Sequence, residues 1–341
     1  MSSVQAARTG AARRARAEPP RRAAWRERLA PYGFVLPLFA VFVAFYLWPA
    51  LNTVASSLFS WGLLNPWELQ SSGEWDFVGL DNYTELLGSD RFWNAVLNTG
   101  VWLVVFPLLI VGVSLAVSVL IWFTRLGRVA FRTVFVLPMT ISLAAAGVIW
   151  SFVYNPDFGV LSALVGTVGL DGSIDAGFIR FEGGNWLSDP GVIDLGFAEI
   201  RLVNLSLIVA GFWAFTGFGV ITLTAGLTTM SQDLIDAATV DGARPRQIVR
   251  YVIIPQLRGP LVVVGVISVI FALRTFDIVW VMTRGGPAQD SEVLAVLLWK
   301  QAFAFLDSPQ AGLATAVAVL LSGLLVVLAY PVLRRLGQER R

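Results

Sequence analysis

A chain of 341 residues that is 56% hydrophobic and only 14% charged, with its apolar residues gathered in long blocks, is composed for a bilayer rather than for water. It has no Cys and no His, which excludes disulfides, thiolate or imidazole metal sites, Ser-His-Asp chemistry and histidine proton relays. A formal net charge of +2 points to no nucleic acid and no other polyanion, so the placement of the charges carries the information.

Residues 1–30, rich in Arg and Ala, read as a disordered cytoplasmic tail. They do not read as a secretory signal, because the apolar run behind them is too long for a signal core and no clean small-residue cleavage pattern follows it. Six apolar runs are long enough to cross a bilayer as helices, near 34–58, 94–122, 133–153, 202–228, 261–282 and 311–333. The fold class is therefore an all-α polytopic membrane protein with six transmembrane helices, its membrane domain spanning 31–335 with a short cytoplasmic tail at 336–341. Arg crowds the segments before the first run, between the second and third, between the fourth and fifth, and after the sixth. Asp and Glu dominate the segments between, such as Asp76, Asp81, Glu85 and Asp90 after the first run and Asp157, Asp189, Asp194 and Glu199 after the third. The positive-inside rule then places both termini in the cytoplasm and turns the long loop 154–201 outward, as a small subdomain or a flexible insertion.

Only Arg274 and Asp277 are ionisable within these runs. Spaced three apart, they are expected on one helical face, paired with each other or guarding the outer end of a pathway. A proton-driven or voltage-gated device needs more buried charge than this. Asn204, Ser206, Thr216 and Thr222, with Thr140 and Ser142, are polar groups for a possible path, and Phe212, Trp213, Phe215 and Phe218 lie among them. Rings beside hydroxyl and amide groups suit a neutral polyhydroxylated solute, while packing and interfacial belts are the commoner use of such aromatics. Gly211, Gly217 and Gly219 read as close helix contacts.

Residues 231–260 form a polar island between two apolar runs. Ser231 is positioned to cap a first short helix, Asp233 and Asp236 suit its N-terminal dipole, and Gly242 suits a left-handed end. Pro245 fits the first turn of a second helix, which Pro255 is expected to stop. The single lysine, Lys300, is followed by Gln301, so the chain lacks the phosphate-binding loop that ends in Gly-Lys-Ser/Thr. If transport through it is driven, the energy enters through a partner, and a cytoplasmic loop with this punctuation is where a partner could push.

This loop carries a resemblance. Asp236-Ala237-Ala238-Thr239-Val240-Asp241-Gly242-Ala243, continuing to Ile253-Ile254-Pro255, resembles the Glu-Ala-Ala signature of the permease subunits of bacterial binding-protein-dependent ABC importers, with Asp236 in place of the usual Glu. Phe77-Val78-Gly79-Leu80-Asp81-Asn82-Tyr83, Asn98-Thr99, Tyr154-Asn155-Pro156-Asp157-Phe158-Gly159, and Phe276-Asp277 leading to Thr283-Arg284-Gly285-Gly286-Pro287 are similar to its carbohydrate-uptake branch, the maltose and glycerol-3-phosphate permeases. The similarity covers about residues 30 to 335. It implies a multi-pass subunit of the bacterial cell membrane, assembled with a second homologous permease subunit, two cytoplasmic ABC ATPase subunits that bind ATP-Mg, and an extracytoplasmic solute-binding lipoprotein. This chain would then perform no catalysis and hold no cofactor or metal of its own. The resemblance implies that Asp236, Ala237, Ala238, Asp241, Gly242, Ala243, Ile254 and Pro255 couple to the ATPase, the two alanines giving a side-chain-poor docking face. Arg244, Arg246 and Arg250 are suited to acidic rims or membrane lipid. Asn204, Trp213, Phe215, Thr216, Arg274 and Asp277 are the expected solute-path residues, for a sugar or oligosaccharide. The alternatives are a glycerol-3-phosphate or other polyol derivative, or a stand-alone secondary transporter. An integral-membrane enzyme is disfavoured by the missing catalytic groups.

Overall fold

The computed structural model describes residues 21–62, 76–124, 127–168, 173–175, 179–182, 185–188, 191–194, 196, 199–304 and 310–338. The Arg-rich stretch before residue 21, Glu68, Glu74, Arg125, Gly169, Asp171, Gly172, Gly177, Gly183, Gly184, Asp189 and residues 339–341 lie outside the described residues.

The chain divides into two units, Met1–Thr53 and Val54–Arg341. In the first, α1 (Arg21–Phe42) runs through a π-helical turn, Val43–Leu47, into α2 (Trp48–Ser56). Helix thus begins inside the expected disordered tail of residues 1–30, because the Ala, Arg, Glu and Leu of 21–30 are strong helix formers that extend the apolar run behind them. Pro49 follows two residues after the π turn. A proline has no N–H for the carbonyl four residues back and its ring crowds that carbonyl, and the wider π turn relieves both. None of the described side chains from Tyr32 to Thr53 is buried, Phe34 and Phe45 being 86% and 72% exposed.

The second unit opens on a short antiparallel pair, β1 (Phe59–Ser60) and β2 (Asp76–Phe77), with Phe59 opposite Phe77. Behind it, α3 (Asp81–Leu87) begins after Gly79, and its Asn82 donates to the carbonyls of Ser57 and Phe59 at 2.8 and 3.1 Å. The Phe77–Tyr83 motif therefore pins the chain as it leaves α2.

The core is a helix pair, α4 (Asp90–Phe123) and, later in the chain, Leu202–Thr228, crossed by Arg258–Leu273. Trp102, Phe106 and Ile110 pack against Val203, Leu207, Ile208 and Leu223, all at most 1% exposed. In lipid no hydrophobic force drives helices together, so close packing has to do it. A Cβ on Gly219 would stand 2.7 Å from the Ser114 Cβ across this seam. Gly219→Ala is therefore expected to destabilise the folded chain by about 1–3 kcal/mol, read as a lower melting temperature, with Ser114→Gly in the same chain restoring it.

After α4, α5 (Arg128–Val136) passes through a 3-10 turn, Leu137–Thr140, into α6 (Leu143–Val153) at a bend of 104°. The run expected as one helix over 133–153 is broken because Pro138 opens the 3-10 turn and Ser142 caps α6, its Oγ accepting the Ala145 N–H at 3.2 Å. The loop that follows is a folded insertion. It holds α7 (Val160–Val168) and an antiparallel meander of β3 (Ser173–Asp175), β4 (Ile179–Glu182), β5 (Gly191–Asp194) and β6 (Glu199–Arg201), which leads directly into α8 (Leu202–Thr228).

α9 (Gln232–Val240), α10 (Pro245–Ile248), a second π turn (Val249–Ile253) and α11 (Ile254–Gln256) form the polar island. Pro255 again lies two residues past the π turn, and the helix ends one residue beyond it, at Gln256. The chain turns at Leu257, by 73°, into α12 (Arg258–Leu273). The apolar run 261–282 is likewise not one helix: α12 ends at Leu273 and a separate helix, α13 (Asp277–Met282), starts after Phe276. α14 (Leu294–Trp299), a π turn (Lys300–Ala304) and α15 (Ala311–Gln338) complete the unit, with α14 and α15 packed on α3 and α4 through Leu86, Phe92, Leu297 and Val317. Among the described residues four helices are long and apolar enough to cross a membrane, and six segments are if each of the two bent pairs is one span. The molecule is an all-α polytopic membrane protein.

Candidate functional site

The polar island is built on a cap. Gly242 has φ +79°, and around it the Ala243 N–H reaches the Ala238 carbonyl at 2.9 Å while its own N–H reaches the Thr239 carbonyl at 3.0 Å. This is the Schellman arrangement, in which a left-handed residue reverses the chain and satisfies the last carbonyls of α9. Its usual apolar contact is present: Ala238 and Ala243 both pack on a cluster of Leu227, Ile235, Ile248, Ile253 and Leu257. At the other end Ser231 does not cap α9, since its hydroxyl turns to the Asp233 carboxylate at 3.3 Å.

Burial separates two faces of this loop. Ile235, Ile248, Ile253 and Leu257 are buried against Leu115, Val119 and Trp122 of α4 and Leu261 of α12. Ile254 and Pro255 are half-buried, and so is Ala238, which packs on this cluster instead of sharing a docking face with Ala237. The exposed face carries Leu234, Ala237, Val240, Asp241 and Gly242, with Asp236 held by the Gln232 amide at 3.2 Å. Acids stand on α9 and Arg244, Arg246 and Arg250 around α10, all exposed, so the surface has both signs around a small-residue centre.

A cavity of about 300 Å³ opens at the break between α12 and α13. Phe215, Phe271 and Phe276 line it with Leu143, Arg274 and Asp277. Phe215 and Phe271 pack with Phe106, centroids 4.6 to 5.8 Å apart. Arg274 and Asp277 were expected on one helical face. They instead flank a non-helical step, both exposed, and among the described residues neither forms an ion pair. Freed backbone groups and charged side chains can sit at membrane depth where they border a cavity.

The other expected path residues are elsewhere. Asn204 is fully buried, donating to the Asn98 Oδ1 at 2.9 Å and to the Asp290 carbonyl at 3.0 Å. Thr216 is buried with its hydroxyl on the Phe212 carbonyl, and Trp213 stands edge-on to Trp150 at 6.1 Å. None of the three lines the cavity.

Asn204 belongs to a clamp that the sequence did not reveal. The segment 283–293 holds three non-glycine residues at positive φ, Arg284, Ala288 and Gln289. Asn94 donates to the Gln289 carbonyl at 2.7 Å, Asn98 to the Glu292 carbonyl at 2.9 Å, and Thr99 accepts the Leu294 N–H at 3.0 Å. At the centre Glu292, fully buried, takes two bonds from Arg91, at 2.6 and 2.9 Å, and one contact from Lys300 at 2.6 Å. Burial alone would push its carboxyl up, but the bonds and charges of Arg91 and Lys300 prevail and hold it below the ordinary carboxylate range. The one signal in the sequence was the chain's only lysine, eight residues from an acid in an apolar segment.

Residues 108–336, which contain the capped loop, the cavity and the segment that the clamp holds, match the family described as the binding-protein-dependent transport system inner membrane component. The chain belongs to this permease family. Its relatives include the permease GgtC of Synechocystis, named for uptake of osmoprotective compounds, 32% identical over 314 residues that cover 90% of this chain and 99% of the relative. The permease AglF of Rhizobium meliloti, named for α-glucoside transport, is 30% identical over 305 residues, 87% of this chain and 79% of the relative. Among solved permeases, the alginate ABC transporter crystallised with its pentasaccharide-bound periplasmic protein has the same fold, with a TM-score of 0.67 at 19% identity, covering 89% of this chain and 92% of that one.

Proposed function

We propose that this chain is the transmembrane permease subunit of an ATP-driven importer that receives a sugar or oligosaccharide from an extracytoplasmic binding protein. Its partners would be a second permease subunit, suited to the exposed apolar surface of α1 and α2, and two cytoplasmic ATPase subunits that hold ATP-Mg. The observation that carries this reading is the two-faced loop. Its exposed side offers Ala237, Asp241 and Gly242 to a partner, while its buried side is bolted to α4, α8 and α12, of which α8 and α12 line the cavity. A displacement imposed on the loop therefore moves packed helices rather than a slack connection. Asp236, Ala237, Asp241 and Gly242 act at the docking surface, and Ala238, Ala243, Ile254 and Pro255 transmit from beneath it. The Arg-rich segments support a cytoplasmic side for this loop and both termini of a multi-pass inner-membrane protein.

Phe215, Arg274 and Asp277 line the solute path. The α-glucoside name of AglF and the pentasaccharide of the alginate structure support a saccharide. Arg274 at the cavity is the observation that favours a phosphorylated polyol instead, and Asp277 beside it counters that.

The absence of native cysteine makes the test direct. Ala237→Cys and Asp241→Cys, each the only thiol in the chain, are expected to crosslink to cysteines placed in the groove of the co-expressed ATPase, with yields that change on adding ATP. Crosslinking no stronger than that of a cysteine on α7 would count against the docking assignment.

A further inference from the structure

We propose that the turn at 185–188, the end of α6 and the segment 282–287 form a second solute site, distinct from the cavity at Arg274, that takes one ring of a neutral sugar. The three segments enclose a cavity of about 370 Å³, within the range of pockets that hold small ligands. Its walls include Tyr154, Asn155, Asn185, Trp186, Thr283 and Pro287. Among the described residues no charged side chain lines it, although Asp157 and Arg284 lie next in sequence to lining residues. A phosphate or uronate would find no counter-ion there, whereas hydroxyl groups would find amides and hydroxyls.

The aromatic wall is held in place. Trp186 Nε1 donates to the Ser162 Oγ at 3.3 Å, and its ring packs on Tyr154 with centroids 6.0 Å apart. Tyr154 in turn donates its hydroxyl to the Ser206 carbonyl at 2.9 Å. Asn155 Oδ1 accepts the N–H groups of Asp157 and Phe158 at 2.9 and 3.2 Å, which leaves the NH₂ end of the amide as its donor. Asn185 and Ser188 add an exposed amide and an exposed hydroxyl. Pyranose rings are recognised by this combination, apolar C–H faces against an aromatic plane and hydroxyls against fixed polar groups.

The site is in series with the first cavity. α13 borders the Arg274 cavity at Asp277 and the second one at Met282, about 8 Å further along the helix axis. Taking the orientation proposed above, on which the order of the sites rests, the 185–188 site faces outward and meets the solute first.

The test is saturation-transfer NMR of the full chain in lipid nanodiscs, with methyl α-glucoside as the neutral probe and glycerol 3-phosphate as the anionic one. Saturation of the glucoside ring protons is expected in the wild type. Trp186→Ala should reduce it roughly fivefold, since one aromatic face is worth about 1 kcal/mol. Asn185→Asp, at an exposed position that leaves packing intact, should also reduce it, while Trp186→Phe should retain it. Equal signals in wild type and Trp186→Ala, loss only in Phe215→Ala, or a stronger signal from glycerol 3-phosphate would each overturn the proposal. The readout needs neither ATP nor partner subunits. Normal saccharide uptake by the assembled importer alongside such a result would remove the outer site and leave the importer reading standing.

Discussion

Glu292→Ala is expected to destabilise the folded chain by about 3 kcal/mol, the cost of deleting one partner from a buried ionic cluster. The carboxylate is fully buried and bridges Arg91 of α4 to Lys300 after α14, with side-chain exposures of 22% and 19%. Without it two cations face each other across a desolvated gap. The segment 283–293 also loses the anchor that holds Arg284, Ala288 and Gln289 in left-handed conformations, each costing about 1–3 kcal/mol. Thermal melting of the purified chain and proteolysis of this segment check the prediction, and unchanged melting with unchanged cleavage would count against it. The same lock is pH-dependent. A carboxyl whose folded value lies below its unfolded value stabilises above the ordinary carboxylate range and loses that stabilisation as pH falls through its folded value. Acidification should therefore lower the melting temperature of the wild type more than that of Glu292→Gln.

The capped loop gives the second large effect, and its two faces make opposite predictions for adjacent alanines. Ala237 is exposed, so Ala237→Trp should leave melting unchanged while preventing a partner from seating, with ATP-dependent uptake falling by an order of magnitude or more. Ala238 packs on Ile235 and Ile248, so Ala238→Asp buries an unpaired charge and should loosen the loop itself. Gly242→Val lies between the two. No atom lies within 4 Å of a Cβ at this position, yet φ +79° costs a β-branched residue about 1–2 kcal/mol. It should weaken the cap without disturbing the bundle. Equal melting temperatures for the Ala237 and Ala238 variants would contradict the division of faces.

The loop was legible because local chemistry writes it. Gly242 marks a left-handed cap, Pro245 a helix start, and the apolar flanks a membrane boundary. Pro255 marks a helix end that falls one residue later, at Gln256, whereas Pro49 interrupts nothing, because the π turn at Val43–Leu47 relieves its ring clash two residues upstream. The breaks at Ser142 and Arg274 fall inside continuous apolar runs, where hydropathy reports depth in the bilayer but not direction of the chain. The clamp was illegible for another reason. Arg91 and Glu292 are 201 positions apart, and nothing in a single sequence pairs them. Asn204 looked like a path residue because a buried amide in a span can serve a solute or a backbone carbonyl equally well. Here it serves the carbonyl of Asp290.

The proposed coupling requires that this permease move a saccharide only when ATPase subunits push on the loop around Ala237. Its most direct test is uptake of a labelled neutral oligosaccharide into proteoliposomes that contain the chain with its partner permease, ATPase and binding protein. Uptake is expected to require both ATP at the ATPase face and the binding protein on the opposite face, and to collapse in Ala237→Trp, whose chain keeps its melting temperature but no longer seats the ATPase. Uptake by the purified chain alone, driven by an ion gradient and indifferent to Ala237→Trp, would contradict it.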